Sequence, residues 1–318
     1  MSILQVQSLT KHYPAPSSWW RRSQAQPFIA VNAISFALEQ GEVLGILGPN
    51  GAGKTTTMHM LLGTLTPTAG TITYFGKDFY KHRSDIMQLV GFASAYTKLP
   101  GRLTVYENVD IYARLYGLSA SERNDNIRHF LEAFGVWHLR DKYASSLSAG
   151  QLTRVMLAKA FIPKPKIVLL DEPTASLDPD IVQEVRYFIR QQQREFGTSI
   201  LLASHNMHEI TELCNRVLVL KQGEIIASDT PKNLAATVAA VRVNFIIMQG
   251  IEQLAEYTQR NMLRHTIQGR DVSIEIDEHS IAQLLADLAA LNVIYSHIAI
   301  EKPTLEDYFL HIAAQTRG

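Results

Sequence analysis

The stretch at residues 48–56, GPNGAGKTT, constrains this chain more tightly than any other. Gly48, Gly53, Lys54 and Thr55 match a pattern of glycine, four residues, glycine, lysine and a hydroxyl side chain. At average composition these four positions coincide by chance in only about 1% of chains this long. Residues 42–47 read as a buried strand before the pattern, and Met58, Leu61 and Leu62 follow it with helical spacing. Strand, small-residue turn and helix start in that order form an anion cradle. Small side chains let backbone N–H groups curl around the anion, and the helix adds the positive end of its dipole. The cradle predicts phosphate binding by Gly48, Pro49, Asn50, Gly51, Ala52, Gly53, Lys54, Thr55 and Thr56. Lys54 is placed to reach the β and γ phosphates of a nucleotide, and Thr55 to hold Mg²⁺.

Such a cradle needs a carboxylate at the end of a second buried strand. Residues 167–172, IVLLDE, supply Asp171 and Glu172. Two adjacent carboxylates closing an apolar strand are costly without a cation, so a purely structural reading of the pair is weak. A third apolar run, 199–204, ends at His205, and ligands in open α/β sheets bind beyond the carboxyl ends of strands. His208 lies three residues on, but no cysteine or carboxylate cluster completes a tetrahedral ligand set around the pair.

The flanking sequence places these motifs. Residues 3–9 and 28–38 read as strands, 71–75 as a short strand, and 217–220 with 224–227 as a hairpin around Gln222 and Gly223. Three capping boxes open helices: Thr104 with Glu107, Ser119 with Glu122, and Ser148 with Gln151. The helix from Ser119 runs to about Phe134, with Ile127, Phe130, Leu131 and Phe134 on one face. Residues 180–196 give a further helix. The pattern predicts an α/β core with an antiparallel β subdomain and a helical subdomain at about 100–165. The character changes around Asp229, Thr230 and Pro231, where strands at 240–248, 272–276 and 294–300 and a helix at 280–291 predict a small α+β domain. The predicted domains are therefore residues 1–230 and 231–318.

Thirty basic residues balance thirty acidic ones, so no global field points to nucleic acid. The single cysteine, Cys214, allows no internal disulfide and fits a reducing compartment. No run approaches the roughly 18 apolar residues of a membrane span, and the first residues lack the apolar stretch of a secretory signal. Action at a membrane would therefore require another subunit. The loop at 14–27 carries Trp19 and Trp20 beside Arg21 and Arg22; it suits a membrane interface or partner surface, or tryptophans that fold back on the domain.

Taken together, the phosphate loop, LSAGQ at 147–151, LLDEP at 169–173, Ser176-Leu177-Asp178 and His205 resemble the ATP-binding subunit of an ABC transporter. The resemblance spans residues 3–227, and the tail PTLEDYFLHI at 303–312 is similar to that of exporter-type subunits. It implies a P-loop ATPase fold in which Tyr13 stacks on adenine, Asp171 holds Mg²⁺ directly or through water, Glu172 is the general base and His205 contacts the γ-phosphate. Ser148, Gly150 and Gln151 would act in trans on ATP held by a second subunit, a copy or a paralogue, with Asp178 at the interface. The implied partner is a membrane-spanning permease, with this subunit peripheral on the cytoplasmic face. Two positions depart from the family: Ala149 replaces a glycine, and Ala95 stands where a metal-contacting glutamine is usual, leaving Ser94 or Tyr96 as neighbours. A soluble relative acting on ribosomes or DNA is the rival; it usually carries two ATP sites or long coiled coils, neither of which this sequence shows. A non-hydrolysing regulator is disfavoured because Glu172 and His205 are both present.

Overall fold

The computed structural model describes residues 2–14, 27–95, 97–175, 177–238 and 240–315. Trp19, Trp20, Arg21, Arg22, Tyr96 and Ser176 lie outside these. Contacts divide the chain into two units, 1–230 and 231–318.

The first unit opens with β1 (Ser2–Tyr13) and β2 (Phe28–Glu39), then β3 (Val43–Leu47), α1 (Lys54–Leu61), β4 (Ala69–Tyr74), β5 (Lys77–Asp78), α2 (Arg83–Met87) and β6 (Val90–Ser94). It continues with α3 (Val105–Leu115), α4 (Ala120–Ala133), α5 (Ala149–Phe161), β7 (Ile167–Asp171), α6 (Pro179–Phe196), β8 (Ser199–Ser204), α7 (Met207–Leu213), β9 (Arg216–Lys221) and β10 (Glu224–Asp229).

Two sheets result. One is antiparallel, in the order β2-β1-β4-β5, and the other is mostly parallel, in the order β10-β9-β3-β8-β7-β6. Strands β3, β7 and β8 are buried at every residue, as expected of parallel strands covered on both faces. Leu4, Val6 and Leu9 of β1 share one apolar cluster with Leu44 and Ile46 of β3 and Met58 and Leu61 of α1. Helix α1 and the loop before it are thus fixed from both sheets. β1 runs past the predicted Leu9 because Lys11, His12 and Tyr13 continue pairing with Val31, Ile29 and Phe28 through irregular register.

All three capping boxes form, at Thr104, Ser119 and Ser148. Each hydroxyl accepts an N–H that the helix start would leave unpaired. Helices α3, α4 and α5 pack together, and an aromatic cluster ties them to α6: Phe134 and Phe161 lie 4.3 and 5.2 Å from Phe188 between ring centres. Such offset and edge contacts suit the ring quadrupole.

The second unit comprises α8 (Pro231–Ala236), β11 (Ala240–Gln249), α9 (Ile251–Arg260), β12 (Arg264–Gln268), β13 (Asp271–Asp277), α10 (Ile281–Ala290), β14 (Ile294–Glu301) and α11 (Leu305–Gln315). Its sheet, ordered β12-β13-β11-β14, is antiparallel throughout. From β11 to β14 the order βαββαβ is that of a ferredoxin-like fold. Alternation along β11 buries Val241, Val243, Phe245 and Ile247 against Leu254 of α9 and Leu284 and Leu288 of α10. Four of its elements, α8, α9, β12 and α11, were not evident beforehand. α9 buries only Leu254 and Thr258, β12 is a polar edge strand, and α11 falls in the tail quoted above only as a motif.

Candidate active site

Strands β3, β8 and β7 are neighbours in the sheet, so the loop after β3, His205 after β8 and Asp171-Glu172 at the end of β7 converge at one edge. The loop is built from backbone that only glycine tolerates. Gly53 has φ +104°, and a Cβ there would sit 2.5 Å from Ala30 O. At Gly48 a Cβ would collide with Leu220 O. Either side chain would push the loop off the neighbouring strands and flatten the cradle. The loop from 50 to 56 lines a cavity of about 170 Å³ with Phe28, Ala30 and Glu172.

Lys54 stands at the centre. Its Nζ donates to Gly48 O at 2.7 Å and Pro49 O at 3.3 Å, and lies 3.8 Å from Glu172 Oε1. Burial pulls its pKa below the ordinary lysine value, against the opposing charges of Glu172 and Asp171. A bound anion would restore the charge that burial penalises. Glu172 Oε2 lies 2.7 Å from His205 Nδ1, so the carboxylate bridges lysine and histidine. Glu172 is only 5% exposed, whereas the His205 side chain is 55% exposed. Glu172 also has φ +53°, a left-handed conformation rare for a non-glycine residue and found where surroundings enforce it.

Asp171 is almost fully buried, and its Oδ1 has no hydrogen-bond partner. Burial first, then the charge of Glu172, pushes its pKa above the ordinary carboxylate range; a hydrogen bond from Thr55 and the charges of Lys54 and His59 oppose this. A carboxylate oxygen left bare beside a threonine hydroxyl is a suitable ligand for a small hard cation.

The remaining predicted residues divide. Tyr13 is part-exposed and stacks on Phe28, with ring centres 6.3 Å apart and planes 24° apart; Lys11 Nζ lies 5.4 Å from the Tyr13 centre. Phe28 lines the cavity and was not anticipated; its signal is its place opposite Tyr13 at the first pair of the β1–β2 ladder. Ser148, Gly150 and Gln151 do not line this cavity. They sit at the start of α5, where Ser148 Oγ accepts from Gln151 N at 3.3 Å and Gln151 Oε1 accepts from Ser148 N at 3.1 Å. Asp178 is the N-cap position of α6. Ala95 N donates to Asp171 O at 3.2 Å, so alanine lies beside the metal candidate through its backbone alone.

Comparison with known proteins matches this arrangement. The model of the family described as ABC transporter matches residues 31–175. The ABC transporter ATP-binding protein NatA of Bacillus subtilis is 37% identical over 220 residues, covering 69% of this chain and 89% of NatA. The chain belongs to the ABC transporter ATP-binding proteins. Accordingly it is an ATPase with a P-loop α/β fold. Another relative, the linearmycin resistance ATP-binding protein LnrL of Bacillus subtilis, is 29% identical over 293 residues, 90% of this chain and 94% of LnrL. Among solved structures, cbiO1 of Clostridium perfringens, described as part of the ABC transporter complex cbiONQ, is 28% identical with TM-score 0.62, covering 81% of this chain and 95% of cbiO1. As an ABC ATP-binding protein the chain has, among its described residues, no helix long and apolar enough to cross a membrane.

Proposed function

We propose that this ABC ATPase drives export through a separate membrane-spanning permease, with residues 1–230 as the ATP-binding domain and 231–318 as an accessory domain. The observation that carries the hydrolytic reading is the Glu172 carboxylate, held between Lys54 and His205 at the wall of the phosphate cavity. ATP would enter with its phosphates on the loop from 48 to 56. Lys54 would exchange its contacts with Gly48 O and Pro49 O for phosphate oxygens. Glu172 would take the proton of the attacking water at Oε1, and His205 would hold Oε2 and meet the γ-phosphate. The unpartnered Oδ1 of Asp171 and the Thr55 hydroxyl fit Mg²⁺, which when bound neutralises charge on the transferred phosphoryl group. The stacked Tyr13–Phe28 pair offers the adenine a π face.

The second half of the site would come from another subunit. The first N–H groups of α5 have no partners within the helix, and its start at Ser148, Ala149 and Gly150 is largely exposed. Presented across a dimer interface, this terminus would cap the γ-phosphate of ATP bound to the facing loop, so closure would follow ATP binding and reopening would follow hydrolysis. Export is supported by the resistance function in the name of LnrL, which aligns over both units. The subunit would sit peripherally on the cytoplasmic face of the membrane. Capture of the tagged full chain from detergent-solubilised membranes, with mass identification of what stays bound, tests this reading. A stoichiometric polytopic membrane protein is the expected result; ribosomal or DNA-bound material without one would move the assignment to a soluble ATPase.

A further inference from the structure

Glu209 of α7 is a carboxyl with no solvent exposure, and it does not line the phosphate cavity. Thr174 Oγ1 donates to its Oε1 at 2.9 Å, and the Ser204 side chain bonds to the same carboxyl. Its own N–H donates to Asn206 Oδ1 at 3.1 Å, and Asn206 N donates to Ser204 Oγ at 3.0 Å. Glu209 Oε2 has no partner. A leucine would fill such a place without leaving a buried oxygen bare, so packing alone does not account for the carboxyl.

The partners explain it better. Thr174 follows Glu172 by two residues, and Ser204 and Asn206 stand immediately before and after His205. One buried side chain therefore grips both segments that carry the charged pair. Glu172 itself is held in left-handed backbone, its N–H bonded to Ala203 O at 2.9 Å and its carbonyl accepting from Ala175 N at 3.3 Å. A conformation of that kind persists only when its surroundings over-determine it.

We propose that Glu209 is a positioning residue for ATP hydrolysis: its carboxyl ties the turn after β7 to the end of β8, and so fixes the 2.7 Å contact between Glu172 and His205. The inference rests on the reading of Glu172 as general base. Loss of the tie lets the turn and the strand end drift apart. The base then loses its orientation while the loop at 48–56, anchored on β3 and α1, still binds nucleotide.

The test is steady-state ATP hydrolysis by the full chain carrying Glu209→Ala, Glu209→Gln, Thr174→Val, His205→Ala and Glu209→Ala with His205→Ala. Glu209→Ala lowers kcat about 10-fold to 100-fold, since small misplacements of reacting groups cost up to that much, with KM for ATP held within about twofold. Glu209→Gln keeps the length of the side chain and the acceptor for Thr174, and restores most of kcat. Thr174→Val removes only a hydroxyl, lowers kcat in the same direction, and carries the test if Glu209→Ala does not fold. In the His205→Ala background, adding Glu209→Ala changes kcat little, because the contact it sets is already gone. Raised KM with intact kcat, Gln no better than Ala, or fully additive losses with His205→Ala would each overturn the proposal. If Glu172→Gln keeps full turnover, the general-base reading fails and this inference with it. If Glu172→Gln is inactive while Glu209→Ala and Thr174→Val turn over normally, this inference alone fails.

Discussion

The unit at 1–230 buries six charged side chains among its described residues: Lys54, Lys159, Asp171, Glu172, Arg186 and Glu209. In the unit at 231–318 the described residues bury one polar side chain, Thr258, whose hydroxyl bonds back to Leu254 O at 3.1 Å. Both units pack sheets against helices around apolar cores, so burial of charge is not a requirement of making such a core. Buried charge costs free energy unless it is paired, so a cluster of buried charges marks a candidate functional site. Four of the six, Lys54, Asp171, Glu172 and Glu209, lie at or directly behind one edge of one sheet. Lys159 stands apart over the Tyr112 ring at 4.3 Å, with burial lowering its pKa to about 8. The comparison separates a unit organised around chemistry from one organised around packing.

That contrast can be broken or sharpened by substitution. The largest effect is expected at Lys54→Ala. Charge-assisted hydrogen bonds to phosphate are worth about 1.5–3 kcal/mol each, so losing two weakens ATP binding by about 10²-fold or more in calorimetric titration. Retained affinity would remove the phosphate-loop assignment. Next, Leu284→Ala in the second unit leaves a cavity in a closed apolar core and should cost about 2–5 kcal/mol by denaturant unfolding. ATP affinity should not change; if it falls, the second unit is part of the ATP site and the contrast is wrong.

A smaller and opposite effect is expected at Asp171→Asn. Without Mg²⁺, removing a buried, partly unpartnered carboxylate should raise the apo melting temperature by about 2–4 °C, corresponding to about 1 kcal/mol. The additional stabilisation produced by Mg²⁺ with ATP should shrink in the same variant. A lower apo melting temperature would mean that Asp171 is structurally paired rather than held for a cation. The smallest change is expected at Ala95→Gln, which places an amide near Asp171; hydrolysis by the chain in complex with the permease proposed above should shift by less than about tenfold. No shift at all would show that this position has no contact with the metal.

Much of the fold was legible because its signals are local. The phosphate loop needs its glycines at fixed places, the capping boxes pair residues three apart, and β3, β7 and β8 are uninterrupted apolar runs. The helices after Thr104, Ser119 and Ser148 start where their side chains predict. What escaped was set by tertiary contact. β1 runs on to Tyr13 only because β2 pairs with it across an irregular register, and Phe28 reaches the cavity through that pairing. α9 and β12 are polar on most positions, so neither period stands out in the sequence. Glu209 looks like an ordinary helical glutamate until the fold brings Thr174 and Ser204 to it. The site was readable where motif and chemistry coincide in one stretch, and unreadable where partners meet across the chain.

The most direct measurement is ATP turnover by Glu172→Gln beside the unmodified chain, with ATP affinity and oligomeric state followed on the same samples. Glutamine keeps the size and the contact to His205 but cannot take a proton from water. Turnover should fall by about 10²-fold or more, ATP should bind with near-normal affinity, and the variant should accumulate as an ATP-bound dimer. Turnover at the unmodified rate would contradict the account, because the carboxylate held between Lys54 and His205 would then have no part in hydrolysis.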